Sequence, residues 1–140
     1  QPLDLGSLHG TGRGSIESTL KSTDIARDRG PRSVLVTSVE RPDREPDTIE
    51  MMVVDDSGAW IVQTPLIPMK ANGSGDVTAA LFTAHYRRTG DAADALARTA
   101  SSVFDLLSNT YEAGSRELLL IESQEAYAHP RLQFAARQVR

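Results

Sequence analysis

The sequence predicts half of an α/β domain, with a mostly parallel sheet, one β-hairpin and flanking helices. Three observations predict it. The run Ser33-Val34-Leu35-Val36-Thr37-Ser38-Val39 is short, β-branched and entered straight from a helical stretch, as is a strand buried on both faces of a parallel sheet. Residues 49–54 and 59–64 flank Asp55-Asp56-Ser57-Gly58, which reads as a hairpin closed by a glycine-containing turn. A glycine turn, Gly73-Ser74-Gly75-Asp76, then opens a long helical run. The order is helix, buried strand, hairpin, glycine turn, helix, helix, and it places function at strand ends and at the start of the helix after the turn.

Composition bounds the answer. The 140 residues make one domain at most, with a hydrophobic content of 39% and a charged content of 24%, both globular values. A net charge of −4 argues against a protein that holds nucleic acid by general basicity. The lack of cysteine excludes a disulfide scaffold, thiolate zinc sites and thiol catalysis, and suits the cytoplasm. No apolar run approaches a membrane span and no charged-then-apolar leader opens the chain. With Gln1-Pro2 in place of an initiator Met, a fragment is expected.

Taken in order, residues 1–14 read as a glycine-rich loop. Gly6, Gly10, Gly12 and Gly14 imitate a dinucleotide fingerprint, but no strand precedes them. His9 stands alone and reads as solvated. Ser15 is the expected N-cap of a first helix, with Ile16, Leu20 and Ile25 on one face and Gly30-Pro31 as its stop. Thr37 and Ser38 lie at the carboxyl end of the buried strand, where open α/β sheets bind ligands; pairing with nearby backbone is the plainer reading. Residues 40–47 read as a solvated charged loop. Trp60 reads as packing, and Pro65 and Pro68 end the hairpin. After Asp76, the residues Val77, Ala80, Leu81 and Ala84 share a helical face. Gly90 and Asp91 end one helix and cap the next, whose apolar spacing runs from Ala92 to Leu107 and whose end falls near Gly114. Residues 118–121 suggest an edge strand, Ser123 the cap of a brief helix, and 131–140 a polar tail anchored by Leu132 and Phe134.

The glycine turn carries the chemistry. Two glycines one residue apart let a backbone approach a ligand closely, and the amides of Gly73, Ser74 and Gly75 sit where a helix N-terminus favours an anion. Asp76 beside them could take the proton of an attacking hydroxyl. Taken alone, so short a pattern favours an ordinary loop with Asp76 as N-cap, by roughly two to one.

The wider pattern changes that balance. The order of elements, with Gly73-Ser74-Gly75-Asp76 at its centre, resembles the ribokinase-like superfamily of small-molecule kinases, which carries a Gly-x-Gly-Asp signature. It looks most like the pyridoxal kinase family. Val34-Leu35-Val36-Thr37-Ser38, Thr48-Ile49-Glu50-Met51, Gly58-Ala59-Trp60, Thr64-Pro65 and Asn72-Gly73-Ser74-Gly75-Asp76-Val77-Thr78 follow one another at that family's spacing. The likeness runs from about Leu5 to the end and implies that residues 1–140 are the C-terminal part of one three-layer kinase domain. It implies transfer of the ATP γ-phosphate to the 5′-hydroxyl of pyridoxal, pyridoxine or pyridoxamine, in vitamin B6 salvage. Asp76 is then the general base, and Gly73, Ser74 and Gly75 form the anion hole. Thr37 and Ser38, with Thr64, Pro65, Leu66 and Ile67, line the ATP site, and Mg²⁺ accompanies the nucleotide. Family members are homodimers when complete. Two departures stand out. A complete member is about twice this length, its other half supplying the vitamin pocket. The superfamily's Asn-x-x-Glu motif falls in register on Gln1-Pro2-Leu3-Asp4, leaving Asp4 as a weak metal candidate. A non-catalytic nucleotide-binding remnant and a kinase acting on a hydroxymethylpyrimidine are the alternatives.

Overall fold

The computed structural model describes residues 2–4, 16–39, 41–69 and 72–140, with only the backbone described for 2–4. Its elements are β1 (Pro2–Asp4), α1 (Ile16–Arg27), β2 (Ser33–Val36), β3 (Thr48–Asp55), β4 (Gly58–Pro65), α2 (Ser74–Thr89), α3 (Ala92–Glu112), α4 (Gln124–Ala128) and β5 (Arg137–Gln138). The strands form one sheet in the order β1-β2-β3-β4-β5. Only β1 and β2 run parallel, and the other three pairings are antiparallel. The expected mostly parallel sheet is therefore corrected: among the described residues the hairpin and the returning tail dominate. The α/β character stands.

The sheet is covered on both faces. Val34, Val36, Met52, Val54, Ala59 and Ile61 pack with Leu20 of α1, while Leu35, Met51, Val53 and Val62 pack with Phe82 of α2 and Ala92, Ala95, Leu96 and Ala100 of α3. Alternate residues of each strand thus reach opposite layers, as the pleat requires. Every residue of β2 is buried, in line with a strand covered on both sides. The hairpin matches its expectation, with Met52 opposite Ile61 and Asp55 opposite Gly58.

Several local readings need correction. Residues 2–4, read as loop, form β1; the Ser15 cap and His9 lie outside the described residues. Ile25 is 54% exposed, and Thr23 takes the inward place with Leu20. Nine residues beyond Ile16 is two and a half turns, which carries Ile25 to the opposite side. On α2 the buried side chains are Thr78 and Phe82, whereas Val77 and Leu81 are half-buried and Ala80 and Ala84 exposed. Residues 118–119 are irregular and 120–121 enter a turn, so the expected edge strand does not form there, and Glu117 bridges to Asn72. Leu132, an expected anchor, is exposed, whereas Phe134 packs edge-on against Phe104 with ring centres 5.1 Å apart. The tail is fastened by polar groups on α3: Ser101 Oγ accepts from the Phe134 amide, and Asp105 accepts from the amide and Nε of Arg131. It ends as β5 on β4, which requires glycine at 58: a Cβ there would stand 2.6 Å from the Arg140 carbonyl oxygen.

One hydrogen bond orients α2. Tyr86 Oη donates to Asp55 Oδ2 at 2.8 Å, pinning the last turns of the helix to the hairpin turn. Burial and this bond push the Tyr86 phenol up to about 12. Burial works to raise Asp55, but donors from the Ser57 hydroxyl, Tyr86 and the amides of Ser57 and Gly58 outweigh it and hold the carboxyl below its usual range. The signs give the pH window. The raised phenol stabilises the fold below its ordinary pKa, and that contribution is lost as pH rises through about 12. The depressed carboxyl stabilises above its ordinary pKa and loses its contribution as pH falls through the lower folded value. Tyr86→Phe is expected to cost about 1–2 kcal/mol near neutral pH. In urea melts the gap between the two proteins should close as pH climbs above the ordinary tyrosine range; a gap independent of pH would count against the bond.

Candidate active site

Helix α2 begins without a side-chain cap. Gly73 occupies the N-cap in the left-handed region, φ 85° and ψ 2°, where a Cβ is strained. The first intrahelical donor is the Val77 amide, which reaches Gly73 O at 3.0 Å. The amides of Ser74, Gly75 and Asp76 come before it and make no hydrogen bond among the described residues. They are the orphan donors of a helix start, reinforced by the dipole. Asp76 is exposed in the first turn, so its carboxylate is not spent as an internal cap.

Gly75 is informative because its own fold does not require it. Its backbone is helical with no positive φ, and a Cβ there would meet nothing within 4 Å. An alanine would fit and favour the helix. The space above Gly75 is thus open for a ligand's close approach.

The other sequence-predicted residues at the ends of β2 and β4 lie at one end of the sheet. With Tyr86 at the hairpin turn, the start of α2 lies about 20 Å away along the helix. Strand β3 spans about 23 Å, so the helix start falls near the opposite sheet edge, where β2 and β4 finish. Thr37 and Ser38 follow β2 and are half-buried there. Thr64 is buried at the end of β4, on the α2–α3 side with Val62; Pro65 and Leu66 are exposed and Ile67 half-buried. Asp4 lies in β1, in register with Leu35. The antiparallel run from α2 to α3 returns the chain to this edge, and the Asn72–Glu117 bridge holds the two beside each other.

Two features escaped the sequence reading. The register Val34↔Val54, Leu35↔Val53, Val36↔Met52 would bring Ser38 opposite Glu50, yet it is the Val39 amide that reaches Glu50 O at 2.9 Å. One extra residue is therefore inserted at 37–38. Val39 accordingly packs with Val34 and Val36, out of step with strict alternation. The offset bond just past the end of β2 has the form of a β-bulge, a device that re-aims a side chain. The second is Arg41, which is not solvated as expected. Its Nε and Nη2 donate to Glu50 Oε1 and Oε2 at 2.7 and 2.8 Å. The signal was Glu50 itself: a carboxylate inside the apolar run 49–54 demands a cationic partner.

Among the described residues, no three His, Asp or Glu side chains converge to hold a metal, and no helix is long and apolar enough to cross a membrane. The arrangement can bind an anion on three amides that are unbonded among the described residues, place a carboxylate beside it, and receive a larger phosphorylated ligand along the strand ends.

The chain is similar to known proteins over nearly its whole length. No family model matches the chain. Over 136 residues, 97% of the chain, it is 66% identical to pyridoxal kinase PdxY of Leifsonia xyli subsp. xyli and 60% identical to that of Corynebacterium diphtheriae, covering 48% of each. The fold matches pyridoxal kinase from Entamoeba histolytica with a TM-score of 0.79 at 19% identity, over 99% of this chain and 50% of that one. It also matches pyridoxal kinase from Leishmania donovani in complex with ADP and ginkgotoxin, again at 0.79, with 21% identity over 90% of this chain and 44% of that one. The chain is a homologue of pyridoxal kinase PdxY, and it spans about half the length of the curated relatives it matches.

Proposed function

We propose that this homologue of pyridoxal kinase is the C-terminal half of such an enzyme, and that it transfers the γ-phosphate of ATP to the 5′-hydroxyl of pyridoxal, pyridoxine or pyridoxamine. The observation that carries the proposal is the open start of α2. Three amides that are unbonded among the described residues and an exposed carboxylate stand on consecutive residues, and the length of α2 carries them toward the strand ends that hold Thr37, Ser38 and residues 64–67. Asp76 takes the proton of the 5′-hydroxyl as its oxygen bonds to the γ-phosphorus. The bond from phosphorus to the β–γ bridging oxygen breaks, and ADP leaves with that oxygen. The amides of Ser74, Gly75 and Asp76, which overlap the expected Gly73–Gly75 set at two residues, hold the charge on the migrating group, each such donor being worth about 3 kcal/mol. The N-terminal half supplies the vitamin pocket and continues the sheet beyond β1. The apolar stripe Val77, Ala80, Leu81 and Ala84, only partly covered here, suits packing against added structure. Asp4 would be the candidate side chain toward a Mg²⁺ accompanying ATP, which would offset charge on the phosphates. The enzyme acts in the cytoplasm as a homodimer, without nucleic acid.

The test is a coupled assay of ADP release on the chain assembled with the half that its relatives carry. Pyridoxal-dependent ADP release is expected. A folded assembly whose melting temperature rises with ATP but that never turns over would make this chain a nucleotide-binding remnant, and turnover only with a hydroxymethylpyrimidine would reassign the substrate.

A further inference from the structure

We propose that Arg41 and Glu50 are positioning residues: their ion pair locks the β-bulge at Thr37–Ser38 and so aims Thr37 at the nucleotide. This rests on the kinase reading above. The bulge ends where the Val39 amide meets the Glu50 carbonyl, so one residue, Glu50, receives the returning strand through its backbone and Arg41 through its side chain. The Glu50 side chain is 1% exposed and that of Arg41 11%. Both carboxylate oxygens are used, in the two-pronged geometry that fixes orientation as well as distance. The third edge of the guanidinium faces Asp43 at 3.3 Å, which is itself mostly exposed.

The same loop is fastened at its far end to the other nucleotide segment. Asp47 O accepts from the Leu66 amide at 2.9 Å, Gln63 Nε2 donates to Glu45 Oε2 at 3.0 Å, and Thr48 Oγ1 donates to Glu45 O at 2.6 Å. Residues 41–47 thus form a brace between the two strand ends on which Thr37 and Leu66 sit. A simple core pair would not need this placement. An ion pair sealed against water costs desolvation that apolar residues would avoid, and its gain is a specified geometry.

The experiment uses the chain assembled with its relatives' other half, as wild type, Arg41→Gln, and the apolar double replacement Arg41→Met/Glu50→Leu. Amide hydrogen exchange is read first, without nucleotide. In Arg41→Gln, exchange across 37–43 should rise about tenfold more than in the 51–62 hairpin. In the coupled assay, KM for ATP should rise about tenfold, with kcat and KM for pyridoxal within about twofold. The double replacement should recover melting temperature yet keep the raised KM for ATP, because fixed geometry is lost even where charge is balanced. Exchange rising equally in both segments, or a double replacement with wild-type KM, would overturn the proposal. A wild type without turnover fails the kinase reading instead, and the exchange data still decide whether the pair holds the bulge.

Discussion

Asp76→Asn, in the chain assembled with its relatives' other half, is expected to slow phosphorylation of pyridoxal by about 10²-fold or more. ATP should still raise the melting temperature as in wild type, because the amides proposed to grip phosphate belong to the backbone. The change keeps the size of the side chain and removes its basicity. It also removes a carboxylate from the first turn of α2, but that dipole contribution is only about 0.3–1 kcal/mol. Unfolding therefore cannot imitate the loss, and a variant turning over at the wild-type rate would strip Asp76 of its role as base.

Gly75→Ala should separate stability from activity. The residue has helical backbone, and its Cβ would point into open space, so the fold gains from alanine by up to about 1 kcal/mol. The same methyl group would stand where the phosphoryl group must approach the amides, and loss of one such contact costs about 10²-fold in turnover. We expect a melting temperature unchanged or higher together with that fall in kcat. If activity survives intact, the migrating phosphate does not sit over Gly75. Gly73→Ala would be less informative, since its left-handed backbone makes both properties fall.

What could be read from the sequence was what depends on near neighbours. The hairpin followed from alternation around a glycine turn, and α3 from its spacing between Asp91 and Gly114; the Asp94 amide does donate to Asp91 Oδ1 at 3.1 Å. The glycine turn stood out because glycine spacing is local. Sheet direction was not local. A three-residue strand containing Pro2 carries no period to detect, and the direction of β2 relative to its neighbours depends on which segments pair with it. The inward face of α2 was misassigned by one residue for a related reason. Its alanines suggested a stripe with Val77 and Leu81, but the large side chain that the sheet selects is Phe82, joined by Tyr86 at a ring separation of 5.4 Å. The bulge needed register, which only the paired strands reveal. Arg41 was hidden in a charged loop, although Glu50 in an apolar strand pointed to a partner.

The most direct test watches the three amides. Amide ¹H–¹⁵N correlation spectra of the assembled protein should be followed while a non-hydrolysable ATP analogue and pyridoxal are added. The amides of Ser74, Gly75 and Asp76 should move downfield further than any others outside 37–38 and 64–67, as donors do when they gain a charged acceptor. Saturated nucleotide with those three signals unmoved would contradict the site proposed at the start of α2.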